Sequence, residues 1–252
     1  MVTWLTGIVV GYIDKLEAIE NEKQYSELDN KITTKEISDA ISSLQNNKAS
    51  SFDSNLNEML KYSQSYILKC LHKLFNSVLT TGIFPTSWAK GIIVPIFKNG
   101  ILDDPSNYRA LTIGSNICKL FTKILNTRLD NFLIKRNIVS CEQIGFWKGK
   151  RTSNHIFTLK TLIDKYTQQG SKRLYACFVD FRKAFDTVRH EEFFYKLRTI
   201  GIGDLFYNVI KNLYSNIELC AKANSNSLTD NFNSSVGSDR VIILALTCLN
   251  CL

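Results

Sequence analysis

The sequence lacks a disulfide pattern. Its seven cysteines, at 70, 118, 141, 177, 220, 248 and 251, form an odd set with no repeating interval. That excludes a cystine-stapled scaffold and favours a reducing compartment, hence an intracellular protein, nuclear or cytoplasmic. Metal-ligand spacing is equally scarce. His72, His155 and His190 stand apart from one another, and Cys248-x-x-Cys251 has neither a second pair nor a histidine near it, so no zinc site is expected. No apolar run is long enough to span a bilayer. The opening run, residues 4–13, has no basic residue before it and leads straight into Asp14, so it reads as a buried or partner-facing helix rather than a signal or membrane segment. Internal repeats and low-complexity segments are absent as well.

What is present is a globular composition, 44% hydrophobic and 21% charged over 252 residues, enough for a sizeable core in one or two domains. The charge is unevenly spread. Residues 1–84 hold 8 Lys/Arg against 10 Asp/Glu, while residues 85–252 hold 23 against 13, a net +10. A polyanion is the natural partner of the second part.

Periodicity divides the chain. Thr33 and Glu36 form a capping box ahead of Ile37, Ala40, Ile41 and Leu44, and a second helix is expected over about 63–79, ended by Gly82 and Pro85. Between them, residues 46–51 form a polar loop. Residues 92–96 and 108–113 read as two strands joined across a turn-rich tip that carries basic residues. Helical spacing returns over 118–135, with Leu120, Phe121, Ile124, Leu125, Leu129, Phe132 and Leu133 inside and Lys119, Lys123 and Arg128 outside, and again over 153–166. Residues 174–179 are a continuous apolar run of strand length that ends on Asp180. Beyond it Asp186 is placed to cap a helix carrying Phe193, Phe194, Leu197 and Ile200 and closed by Gly201.

An acid at the end of a buried strand needs a reason. Enzymes that transfer nucleotidyl groups with two metal ions need carboxylates on rigid strand ends, and Asp180, in the stretch FVDFRKAFD, is placed in that way. The stretch has company. In order along the chain stand ISDAISSLQNNKASSFD (37–53), PIFKNGILDDPSNYR (95–109), QIGFWKGKRT (143–152) and FVDFRKAFD (178–186) followed by Val188. In order and spacing these blocks resemble the reverse transcriptase domain of non-LTR, LINE-type retrotransposons of the jockey group, over roughly residues 27–237.

The resemblance implies RNA-directed DNA polymerisation: a DNA primer is extended on an RNA template with deoxynucleoside triphosphates and Mg2+. It assigns Asp180 as the first metal-binding aspartate, helped by the backbone carbonyl of Phe181. Phe185 takes the place of the bulky residue under the incoming sugar. Lys98 and Arg109 match residues that approach the triphosphate, where a cation offsets phosphoryl charge. Gln143, Gly145, Lys148 and Arg151 match the block that seats the template. Three positions depart from the family pattern: Ala110, Trp147 and Ser51 replace its usual proline, arginine and glycine.

From Ser238 onward the sequence leaves the pattern. Codon degeneracy permits a reading of residues 239–252 whose other frame encodes QGDNLSPNLFKLF, the motif expected there, so a frameshifted tail is expected at 238–252. The matching sequence then offers Asp180 without the later aspartate pair. The expectation is therefore an α+β fold, an incomplete right-hand polymerase: a helical N-terminal region (1–84), fingers (85–170) and a partial palm (171–237). As encoded it is expected to be inactive, with a completing polypeptide left open. The rival readings are a nucleic-acid-binding remnant without catalysis and a non-functional retrotransposon fragment.

Overall fold

A computed structural model of the chain describes residues 25–50, 52–139, 142, 144–145, 149–167, 174–180, 188–224 and 227–233. The opening run at 4–13 and the tail at 238–252 lie outside them.

Helix α1 (Thr34–Ser42) begins where the sequence says it must. The Thr33 hydroxyl accepts from the Glu36 N–H at 3.2 Å, and the Glu36 carboxylate accepts from the Thr33 N–H at 2.7 Å. Ile37, Ala40 and Ile41 are buried on one stripe. The helix expected at 63–79 is preceded by a short one, so that α2 (Asn57–Tyr62) and α3 (Gln64–Thr81) meet at Ser63. Gly82 stops α3 in the left-handed region, φ +70°, its N–H donating to the Val78 carbonyl at 2.8 Å.

Strands β1 (Lys90–Phe97) and β2 (Tyr108–Gly114) pair antiparallel, and β2 runs through Ser115 into α4 (Asn116–Lys135). Then come α5 (Thr152–Thr167), α6 (His190–Thr199) and α7 (Asp204–Ser215). Strands β3 (Glu218–Asn224), β4 (Ser227–Leu228) and β5 (Phe232–Asn233) follow. β3 lies parallel to β1, giving the order β2-β1-β3-β4, with β5 also on β3. Close packing there requires Gly91, because a Cβ would sit 2.8 Å from a Leu219 methyl and 2.9 Å from the Thr112 methyl. The mixture of helices with a single mixed sheet is α+β, as expected.

One hydrophobic cluster joins α1, α3, α4, α6 and α7. α1 packs on α3 and α4, and α7 on α3 and α6. At its centre the rings of Phe75, Trp88 and Phe121 lie 5.2–6.1 Å apart, and Phe206, Val209 and Ile210 of α7 are wholly buried.

The segment before α1 is clasped to this core. Arg128, on α4, donates from Nε to Glu36 Oε1 at 2.6 Å and from Nη2 to Oε2 at 2.9 Å. Its remaining N–H groups reach the carbonyls of Leu28, Asn30 and Lys31. Lys135 and Arg136 both pair with Glu27, and Asp29 accepts from the Phe206 N–H at 2.8 Å at the start of α7.

Four expectations need correction. Residues 174–180 form no strand, and Tyr175, Phe178 and Val179 are largely exposed. No described segment pairs with them, and an apolar run becomes a strand only where a neighbour takes up its backbone polar groups. α6 is capped at Arg189, not Asp186, which lies outside the described residues. Arg128 does not face outward; its side chain is only 12% exposed, because a guanidinium meets a carboxylate and three carbonyls at once. Lys119 and Lys123 are half-buried rather than outside. α5 occupies the expected span but buries none of its residues.

Candidate nucleic-acid interface

The β1–β2 hairpin forms because two β-prone runs flank a loop rich in turn residues, and its register sets which side chains share a face. Phe97 pairs with Tyr108, Ile96 with Arg109 and Val94 with Leu111. Cross-strand partners share a face, and successive residues alternate, so Ile96, Val94, Arg109 and Leu111 line one side of the ribbon. Lys98 follows Ile96 by two and its N–H donates to the Asn107 carbonyl at 2.9 Å, which continues the ladder. Lys98 and Arg109 are therefore brought to the same side, both exposed, beyond the half-exposed apolar surface of Ile96 and Leu111.

The tip is fixed by its own side chains. Asp104 accepts from the Ser106 N–H and hydroxyl, each at 2.8 Å; Asn107 Nδ2 donates to the Ile101 carbonyl at 3.0 Å. The Tyr108 hydroxyl donates to the Leu102 carbonyl at 2.9 Å, while its ring lies 5.4 Å from that of Phe97. Gly100, at φ +97°, makes the turn that a side chain would block, since a Cβ there would lie 2.6 Å from Asn107 Nδ2. This internal stapling, and the Phe97–Tyr108 pair within it, went unread in the sequence; an aromatic at each strand end beside the turn was the available signal.

Of the remaining expected residues, Arg151, Gly145 and Asp180 are described. Arg151 lies just before α5, where its N–H donates to Asn154 Oδ1 at 2.9 Å and its carbonyl accepts from the Asn154 N–H, leaving the guanidinium exposed. Around Gly145 a Cβ would meet nothing within 4 Å, so space does not by itself demand glycine there. Gln143, Lys148, Phe181 and Phe185 lie outside the described residues. Asp180 is exposed on the irregular stretch 174–180, and no hydrogen bond or ion pair joins it to the hairpin. Among the described residues no three His, Cys, Asp or Glu side chains gather as a metal site would require, and no helix is long and apolar enough to cross a membrane. What these residues offer is thus a cationic, partly apolar surface rather than an assembled metal centre.

Comparison with known proteins bears on the same stretch. Residues 96–237 match the family described as reverse transcriptase (RNA-dependent DNA polymerase), and that match stops one residue before the departure expected at Ser238. The chain is 28% identical over 203 residues to the probable RNA-directed DNA polymerase from transposon BS of Drosophila melanogaster, covering 80% of this chain and 22% of that protein. It is 27% identical to the RNA-directed DNA polymerase from mobile element jockey of the same fly, over 78% of this chain and 21% of the relative. A Pol polyprotein from the type-1 retrotransposable element R2 of Popillia japonica is 31% identical over 52% of the chain and 18% of its own length. The chain thus spans about a fifth of the length of the curated relatives it matches.

Proposed function

Given that this chain belongs to the reverse transcriptase (RNA-dependent DNA polymerase) family, we propose that it is the fingers and first palm portion of a non-LTR retrotransposon polymerase, part of a right-hand architecture that copies RNA into DNA. Its hairpin face receives nucleic acid and nucleotide. The observation that carries this reading is the register of β1 and β2, which gives Lys98 and Arg109 a common exposed side on a tip held by Asp104, Asn107 and Tyr108. Two cations on a stapled support meet phosphate oxygens with little ordering cost, and a guanidinium can donate to two of those oxygens at once. Template contacts are assigned to Gln143, Gly145, Lys148 and Arg151, and the place beneath the incoming sugar to Phe185.

Members of the family use divalent metal ions. Asp180 and the Phe181 carbonyl are the groups proposed to contribute to that site, yet the described residues do not assemble it, so no step is derived through a metal. For the 252-residue polypeptide by itself, template-dependent primer extension in magnesium is expected to be undetectable; extension that Asp180→Ala abolishes would overturn that part of the reading. A binding role without chemistry is the second reading, favoured by the +10 balance of residues 85–252, in which Asp180 is the only carboxylate assigned to a metal by the resemblance.

The test is binding of an RNA template annealed to a DNA primer across a salt series. Affinity should fall steeply with salt, and Lys98→Gln with Arg109→Gln should flatten the slope of log affinity against log salt by about 1.4 to 1.8, two phosphate contacts. Salt-independent binding, or none at low salt, would refute the proposal.

A further inference from the structure

Helix α4 carries cations along its whole length, and most of them are answered. Arg128 pairs with Glu36, and Lys135, with Arg136 at the helix C-cap, pairs with Glu27. Lys119 and Lys123 are the exceptions. They stand four residues apart, so their side chains rise from the same side of the helix, Cβ atoms on the order of 6 Å apart. That side is opposite the one on which Arg128 grips the N-terminal segment, since nine residues at about 100° each turn the helix through two and a half revolutions.

Both lysines are half-buried, yet neither forms an ion pair among the described residues. Lys119 donates only one long hydrogen bond, 3.4 Å, to Asn116 Oδ1. The other end of the Asn116 amide donates to the Asn55 carbonyl, which holds the stretch at 53–55, just before α2, beside the lysine. Burial lowers the Lys119 pKa, and the nearby charge of Asp53 offsets this only in part; burial lowers that of Lys123 too, with no opposing carboxylate. An ammonium partly stripped of water and given little or no counter-charge is a cost that a bound anion would relieve.

We propose that Lys119 and Lys123 form a second phosphate-contact site, which holds two neighbouring phosphodiesters of a nucleic-acid strand along α4, with the loop at 53–55 as one wall. The site rests on the reading of this chain as a nucleic-acid-binding polymerase portion. It adds to the hairpin a second contact, on the helix that follows β2 along the chain. Because an ammonium is a compact charge without a planar fork, the contact is to the backbone and indifferent to base sequence. A free triphosphate is a less suitable occupant, since two ammonium groups from successive helical turns match a chain of separated charges better than one compact cluster.

The test uses the full 252-residue chain and a single-stranded RNA oligonucleotide, with affinity measured across a salt series. Lys119→Gln combined with Lys123→Gln should reduce the slope of log affinity against log salt by about 1.4, and Lys123→Gln alone by about 0.7. Lys123→Arg should restore it, and ATP-Mg should compete no better against wild type than against the double variant. Lys123→Gln carries the decision if Lys119→Gln unfolds through its Asn116 and Asp53 surroundings, because the Lys123 ammonium has no ion-pair partner to lose among the described residues. An unchanged slope in Lys123→Gln, with Lys98→Gln still flattening it, would overturn this site and leave the family reading standing. A wild-type chain that fails to bind would overturn the function on which both rest.

Discussion

Replacing Arg128 by methionine keeps most of the side-chain volume and removes a guanidinium that makes five hydrogen bonds, two to Glu36 and three to the carbonyls of Leu28, Asn30 and Lys31. The arginine is 12% exposed and the glutamate 31%. The pair is thus neither a surface bridge worth under about 1 kcal/mol nor a fully buried one whose breaking costs about 3–5 kcal/mol. An intermediate loss of about 2–3 kcal/mol follows, partly because the carbonyls of 28–31 recover water once the segment loosens. At this chain length that corresponds to a fall in Tm of roughly 4 to 12 °C.

The pH dependence sharpens the test. Burial pushes the Glu36 carboxyl up, but the hydrogen bonds from Arg128 and Thr33 outweigh it and hold its pKa below the ordinary 4.5. A carboxyl depressed in the folded state contributes stability that is complete above 4.5 and disappears as pH falls through the lower folded value. Thermal melts followed by far-UV circular dichroism should therefore show a large gap between wild type and Arg128→Met at neutral pH and a smaller one in acid. A gap of under about 1 °C at neutral pH, or one that grows on acidification, would refute the reasoning.

Asp29 should behave in the opposite sense. Burial raises its pKa above the ordinary 3.8, only partly offset by the Phe206 N–H, so its contribution is complete below 3.8 and declines as pH rises through the folded value. Asp29→Asn keeps an acceptor for Phe206, and urea titrations should show the variant gaining on wild type between acid and neutral pH; a variant that loses ground over that interval contradicts the assignment. Gly82→Ala places a Cβ at φ +70° and 2.6 Å from Asn212 Nδ2, and should cost about 1–2 kcal/mol in the same titration. An unchanged midpoint would mean that the α3 terminus does not depend on its left-handed residue.

Features decided within a few residues were legible in the sequence. The Thr33–Glu36 box, the Gly82 stop and the hairpin are local, and each appears where its residues demand. Features decided at a distance were not. Lys119, Lys123 and Arg128 occupy polar positions of an amphipathic helix and look alike in sequence. What distinguishes them is Glu36, 92 residues before Arg128, and a loop that closes over Lys119 from 53–55. The run at 174–179 has strand composition, but strand formation is a property of a pair, and no partner stands beside it among the described residues. Of the candidate site, the pairing register puts Lys98 and Arg109 on one face, while no metal-binding cluster gathers around Asp180 among the described residues.

The junction between β2 and α4 has a mechanical meaning. Only Ser115 separates Gly114 from Asn116; all three are buried, and the Ser115 hydroxyl accepts from the Cys118 N–H. A linker of one buried residue leaves no joint. Any load that a bound strand applies at the hairpin tip is carried down β2 as torque on α4, whose far end is bolted through Arg128, Lys135 and Arg136 to the segment at 27–36. The tip therefore cannot swing freely: it moves by bending its own two strands or by turning the helix at the centre of the core.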